Sequence, residues 1–190
     1  MNLEPYRKII RKKLGDARYE HSLCVAEAAA ALARKYGADP QKAELAGTLH
    51  DIMKDTPGPE QLQLLERFGI ILSNLEKSAP KLWHAMAGAA YLEKALGIED
   101  EEVLNAVRYH TTGREKMSLL EKVLFIADFI SADRTYDGVE EMREAASRSL
   151  EEAMLEGVRF TICELAEKGN PIHPDTLDLY NQLAIQAKEQ

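Results

Sequence analysis

One carboxylate in the middle of an apolar octet constrains this chain more than any other feature. The octet is Val123-Leu124-Phe125-Ile126-Ala127-Asp128-Phe129-Ile130, and the helix that carries it opens on a capping box, Ser118-Leu119-Leu120-Glu121. A helix this apolar has to be buried. A lone buried carboxylate costs several kcal/mol, so the fold that covers the octet must bring Asp128 an arginine, a metal or a set of donors.

The punctuation around the octet predicts helices throughout. A short helix runs from Pro5 to Leu14 and stops at Gly15; Asp16 caps a long one from Ala17 to Tyr36, closed by Gly37. Asp39-Pro40 is an N-cap with proline at the first helical position, opening a helix with Ala43, Ala46 and His50 on one side. After Thr56-Pro57-Gly58-Pro59 a helix covers Glu60 to Phe68, and Gly69 to Pro80 reads as a loop with room for one turn. Further helices are expected from Lys81 or Leu82 to Leu96, from Asp100 to His110, and from Leu119 to Ile130. Three more follow: Val139 to Arg148, Leu150 to Lys168 with an internal Gly157, and Pro174 to Lys188. No run alternates as a strand does, so the expected fold is an all-α bundle, and 190 residues suit a single domain.

Composition narrows the function. Acidic residues outnumber basic ones 32 to 24, a net charge of −8, so no diffuse field would gather nucleic acid and any phosphate must be met by a local group of cations. Cys24 and Cys163 fit no CxxC pattern and, lying in apolar helical stretches, read as buried inert thiols of a reducing compartment. The basic amphipathic start, Tyr6 to Leu14, reads as a first core helix and has no signal-peptide core. A cytoplasmic protein without a membrane partner is expected.

Asp128 has companions. His21 shares an inward stripe with Val25, Ala28 and Leu32, and His50-Asp51 sits where an apolar helix ends. Neighbouring helical residues point about 100° apart, so His50 and Asp51 can face one point only if the helix stops there. Two imidazoles and two carboxylates from three helices make a nitrogen-and-oxygen shell for Fe, Mn, Zn or Mg, with positions left open as catalytic sites require. His84 and His110, in the first turn and at the end of their helices, are either ordinary hydrogen-bonded histidines, ligands of a second metal bridged by Asp51, or phosphate contacts. Trp83 beside His84 reads as packing. Arg18, Lys54, Arg114 and Arg134 each lie next to one of these residues, which together suggests a phosphate pocket.

The order His21, His50-Asp51, Asp128 resembles the H…HD…D signature of the HD-domain metal-dependent phosphohydrolases. Arg18-Tyr19-Glu20-His21-Ser22, His84 with Gly88, Tyr109-His110-Thr111-Thr112-Gly113-Arg114, Met117 to Lys122, Ile126-Ala127-Asp128 and Ile172-His173-Pro174 extend the likeness over nearly the whole chain. They resemble the YqeK-like branch, the symmetrical bis(5'-nucleosyl)-tetraphosphatases of bacteria. The resemblance implies an iron-dependent hydrolase that cuts diadenosine tetraphosphate in the middle to two ADP, a hydroxide generated on the metal attacking an inner phosphorus.

It assigns the metal to His21, His50, Asp51 and Asp128, and catalytic work to Asp51, Lys54, His84 and His110. Substrate contacts fall on Arg18, Lys54, His84, His110, Thr111, Arg134, the turn with Gly169, Asn170, Ile172 and His173, and Tyr180. The metal-binding core would span about residues 16–131, with C-terminal helices over about 138–188 completing the nucleotide pocket. A homodimer is compatible with it. The rival readings are another HD-type nucleotide phosphohydrolase acting on nucleoside mono- or diphosphates, and a non-catalytic diiron or nucleotide-binding module. Bundle diiron sites use Glu-x-x-His spacing on regular helices, not an adjacent His-Asp. One local departure from relatives is Ile52-Met53 before Lys54, where an aromatic or small residue is frequent.

Overall fold

In the computed structural model, which describes residues 1–189, the helices are α1 (Glu4–Lys13), α2 (Asp16–Tyr36), α3 (Pro40–Leu49), α4 (Gly58–Arg67), α5 (Asn74–Ser78) and α6 (Trp83–Leu96). They continue with α7 (Glu101–Tyr109), α8 (Leu119–Ile130), α9 (Val139–Arg148), α10 (Leu150–Glu167) and α11 (Pro174–Gln186). No strand occurs among the described residues. The all-α expectation holds, and the bounds of α8 and α9 are those the sequence predicts.

Two local expectations are corrected. Gly15 occupies the cap position of α2 and Asp16 is its first helical residue; the Gly15 N–H donates instead to the Asp55 carboxylate at 2.9 Å. The one turn expected between Gly69 and Pro80 is α5, opened by a capping box in which Ser73 accepts from the Glu76 N–H and Glu76 accepts from the Ser73 N–H. The internal Gly157 of α10 is explained by its neighbour: a Cβ there would lie 3.3 Å from the Phe129 ring. The cysteines are not both buried, for Cys24 is half-buried and Cys163 is exposed on the outer side of α10.

The centre of the molecule is α2, α3, α7 and α8. Helix α2 packs on α3 and α8, α3 also on α7 and α8, and α7 on α8. The N-terminal helix α1 leans on α3, α6 joins α4 to α7, and α10 ties α8 to α9 and α11. Leu49, Ile52, Met53, Leu124 and Ile126 are fully buried at this centre; each such side chain contributes about 1.5–3 kcal/mol on removal from water.

At the crossing of α2 and α3 the backbones touch. A Cβ on Gly47 would lie 2.6 Å from the Ala26 Cα, closer than any side chain can approach. This contact lets α2 and α3 lie close enough for His21 and His50 to converge. Past Leu49 the chain tightens into three-residue turns, with Ile52 N–H donating to Leu49 C=O (3.1 Å) and Lys54 N–H to Asp51 C=O (2.8 Å). That change of winding turns His50 and Asp51 toward the same point, as the sequence required.

Candidate metal centre and substrate cleft

Four histidines and two aspartates come together in one cluster. His50 Nε2 is 3.4 Å from Asp51 Oδ2, and His84 Nε2 and His110 Nε2 are 3.2 and 3.6 Å from Asp51 Oδ1. His21 Nε2 lies 3.0 Å from Asp128 Oδ1. Ring centroids are 5.4 Å apart for His21 and His50, 5.0 Å for His50 and His110, and 5.2 Å for His84 and His110. All four histidines and Asp51 are buried, while the Asp128 side chain keeps 21% of its surface.

Hydrogen bonding fixes which nitrogen of each ring carries the proton. A backbone carbonyl can only accept, so His50 Nδ1 donates to Gly47 C=O (2.7 Å) and His110 Nδ1 to Val107 C=O (2.7 Å). The neutral rings therefore turn bare Nε2 lone pairs toward a carboxylate. His50 Nε2 and Asp51 Oδ1 are buried with no hydrogen-bond partner at all. Acceptors facing one another in a dry pocket are costly unless a cation lies between them. A divalent metal fits that need, and nitrogen and carboxylate donors suit Fe, Mn, Zn or Mg.

Three combinations of ligand atoms come within 4.8 Å of one another: His21, His50 and Asp51; His50, His110 and Asp128; and Asp51, His84 and His110. The four expected ligands are thus brought together, and His84 with His110 forms a second set that shares Asp51.

The pKa shifts follow from the same crowding. Burial works to raise Asp51, but the surrounding histidines, His50 first, hold it well below the usual carboxylate range. Burial likewise works to raise Asp128, and is outweighed by the His21 ring beside it and the charges of His50 and Arg134, so it too stays ionised. Burial pushes His84 down to about 4. Burial also works to lower His50, yet the Asp51 charge beside it wins and its pKa is raised. In the absence of a metal, a proton is the cation this pocket attracts.

Three of the four expected cations border the cluster. Arg18 Nη1 donates to Asp51 Oδ2 at 2.8 Å, Arg134 donates to the Asp128 carboxylate and its backbone carbonyl, and Lys54 Nζ is 3.2 Å from His84 Nε2. Burial lowers the Lys54 pKa. Asp128 therefore has an arginine and the cluster at once. Arg114 is the exception to the expected phosphate pocket. Its guanidinium makes a two-point pair with the buried Glu121 at 2.6 and 3.0 Å, the residue that also closes the α8 capping box.

Beside the cluster opens a cleft of about 380 Å3 whose lining includes Lys54, Thr111, Thr112, Asn170, His173 and Thr176, with Thr161 and Leu165 of α10 as a wall. Thr111 Oγ1 is buried there without a partner. The Thr176 hydroxyl donates to Thr112 C=O (2.9 Å) and pins the start of α11 to the His110 turn. Of the expected substrate contacts, Lys54, Thr111, Asn170 and His173 line this cleft, while Arg18, His84, His110 and Arg134 border the metal cluster beside it; Gly169 is exposed at the end of α10, Ile172 is half-buried next to the lining, and Tyr180 packs against the hydrophobic core. Trp83 is packing, as read, with its indole N–H donating to Glu76 C=O at 2.6 Å.

Sequence reasoning passed over Asp133, whose Oδ2 lies 2.8 Å from His21 Nδ1. Partial burial works to raise its carboxyl, and the neighbouring Ser131 hydroxyl and the His21 ring bring it below the usual range. The signal available was its place beside Arg134, in the turn that follows the Asp128 helix.

An all-α bundle whose histidines and aspartates arrive from α2, the end of α3, the end of α7 and α8 is the HD arrangement, and residues 18–133 match the HD domain family model. The chain belongs to the HD domain family. More particularly, it is 39% identical to the symmetrical bis(5'-nucleosyl)-tetraphosphatase of Bacillus subtilis, over 96% of this chain and 98% of that one. It is 43% identical to the enzyme of the same name from Halalkalibacterium halodurans, over 99% and 100% of the two chains. Among solved structures, that of a predicted HD superfamily hydrolase involved in NAD metabolism from Clostridium acetobutylicum superposes with a TM-score of 0.94 at 38% identity, covering 98% of each chain.

Proposed function

We infer that this chain is a metal-dependent phosphohydrolase that cleaves diadenosine tetraphosphate symmetrically to two ADP. The observation that carries the reading is the pair of buried, unpartnered acceptors, His50 Nε2 and Asp51 Oδ1, beside a cleft to which Lys54 belongs. The names borne by relatives that align over the whole chain supply the substrate.

His21, His50, Asp51 and Asp128 would hold the first cation, iron in our reading with Mn, Zn or Mg as alternatives, and Asp51 with His84 and His110 would hold a second. Bound there, a divalent cation supplies Lewis acidity and brings the pKa of water near neutrality. The chain's own groups do the rest. Lys54 faces the cleft as a phosphate donor, and Arg18 and Arg134, each about one-third exposed (32% and 34%), keep guanidinium edges free for phosphate oxygens while neutralising Asp51 and Asp128. Asp51, held ionised, is the ligand that the two positions share. Thr111 has an unused hydroxyl for the ligand, and Asn170 with His173 lies where a nucleoside would sit.

The reading places the protein in the cytoplasm. No helix among the described residues is long and apolar enough to cross a membrane, and the net charge of −8 disfavours nucleic acid as a partner.

A second reading, a phosphatase of nucleoside mono- or diphosphates, draws on the cleft itself, whose volume of about 380 Å3 suits one nucleoside better than two. Chromatography of the products separates them. Incubation of purified, metal-loaded protein with diadenosine tetraphosphate should yield ADP alone. AMP with ATP, or free nucleoside from mononucleotides at a higher rate, would overturn the symmetrical assignment.

A further inference from the structure

We propose that Asp133 is a positioning residue of the metal centre: it holds the His21 proton on Nδ1 and so presents Nε2 as a ligand. The inference rests on reading the His–Asp cluster as a divalent-metal site. A carboxylate facing a neutral imidazole can only accept, and Asp133 Oδ2 stands 2.8 Å from His21 Nδ1. The opposite ring nitrogen, Nε2, lies 3.4 Å from Arg134 Nη2, which can only donate and so calls for a bare lone pair there, and 3.0 Å from the Asp128 carboxylate, the other expected ligand.

His21 needs this outside help for a reason written in its helix. His50 and His110 close α3 and α7, where the carbonyl three residues back is free to accept from Nδ1. His21 lies inside α2, where backbone carbonyls are spent on the helix itself. Its acceptor comes from 112 residues further along the chain.

The turn that carries Asp133 is held in place from two sides. Ser131 N–H donates to Ala127 C=O and Arg134 N–H to Ser131 C=O, both at 3.0 Å. From α9, Arg143 donates to the carbonyls of Ile130 (3.1 Å), Ser131 (2.9 Å) and Arg134 (3.2 Å). One braced turn thus presents Asp133 to His21 and Arg134 to Asp128. The Asp133 side chain is 33% exposed, so its removal admits water instead of opening a cavity.

The test uses the full chain stripped of metal by a chelator. Long-range proton–nitrogen spectra report the tautomer of each histidine, and Mn2+ titration calorimetry reports affinity. Wild type should show His21 protonated on Nδ1. Asp133→Ala should lose that preference and weaken Mn2+ binding about 10–100-fold, with melting temperature little changed. Asp133→Asn, which keeps an acceptor oxygen, should fall between.

A wild-type His21 protonated on Nε2 overturns the proposal without any variant. So does an Asp133→Ala protein that keeps the Nδ1 proton and binds Mn2+ within about twofold of wild type, or one that only melts earlier. Should Asp133→Ala fail to fold, the wild-type spectrum and Asp133→Asn decide. A wild type that binds no Mn2+ removes the metal reading itself, which is a different failure.

Discussion

Around Asp51 the ligand atoms are fixed by the helices that carry them. His50 and His110 are each tied to a carbonyl one turn back on the same helix, and the whole group is buried. Around Asp128 the holding is done by side chains from elsewhere, Asp133 on His21 and Arg134 on Asp128, and Asp128, Asp133 and Arg134 keep 21%, 33% and 34% of their side-chain surface. The inner flank is thus assembled by local folding and the outer flank by a turn that must arrive from α8. The inner flank should tolerate less and bind tighter; the outer should be adjustable.

The strongest test of that contrast is Asp51→Asn. The Asp51 carboxylate touches Arg18, His50, His84 and His110, so both cation positions lose their shared ligand. Hydrolysis should fall on the order of 10^3-fold or more, with bound metal near zero by elemental analysis; near-normal metal content would break the bridging assignment. Asp128→Asn, on the outer flank, should cost on the order of 10–100-fold in Mn2+ affinity while the inner position still binds. Equal losses in the two variants would erase the distinction between flanks.

Gly47→Ala acts on both flanks at once, because the added Cβ would lie 2.6 Å from the Ala26 Cα and must push α2 from α3. A loss of about 1–3 kcal/mol in urea unfolding is expected, accompanied by weaker metal binding; a neutral result would mean that the helices are not in hard contact.

Acid sharpens the comparison last. His84 is neutral in the folded chain down to about pH 4, whereas unfolded histidine takes its proton near 6.5. The unfolded state then binds the extra proton, so His84 makes metal-free stability fall as pH drops from 6.5 towards 4, by at most about 1.4 kcal/mol per pH unit. His50, whose pKa is raised, works oppositely: its contribution is full below the unfolded value and fades as pH rises through the folded one. His84→Gln should flatten the acid limb of a melting-temperature profile, and an unchanged limb would put the effect elsewhere.

Much of this arrangement was legible from residues. Ser118 and Glu121 set the start of α8, Asp39-Pro40 opened α3, and Asp128 inside its apolar octet demanded partners that proved to be His21 and Arg134. What escaped had identifiable causes. Helix α5 was legible only as one turn of a loop: it carries the cap signal at Ser73 and Glu76, but five residues are too few to show a period or fix its bounds. Arg114 follows the His110 turn in sequence, yet Glu121 one turn into α8 is buried and claims it. Cys163 sits in an apolar stretch of α10 but on its solvent side. Asp133 was passed over, since nothing local says that a mid-helix histidine lacks a carbonyl for its second nitrogen.

The contact of Gly47 with Ala26 has a consequence for wear over evolutionary time. Spacing set by main chain against main chain does not depend on which side chains fill the surrounding core, so Val, Leu and Met can be exchanged there without detuning the gap between the two imidazoles. Stability can drift in such a scaffold while the distance that matters to chemistry is inherited unchanged.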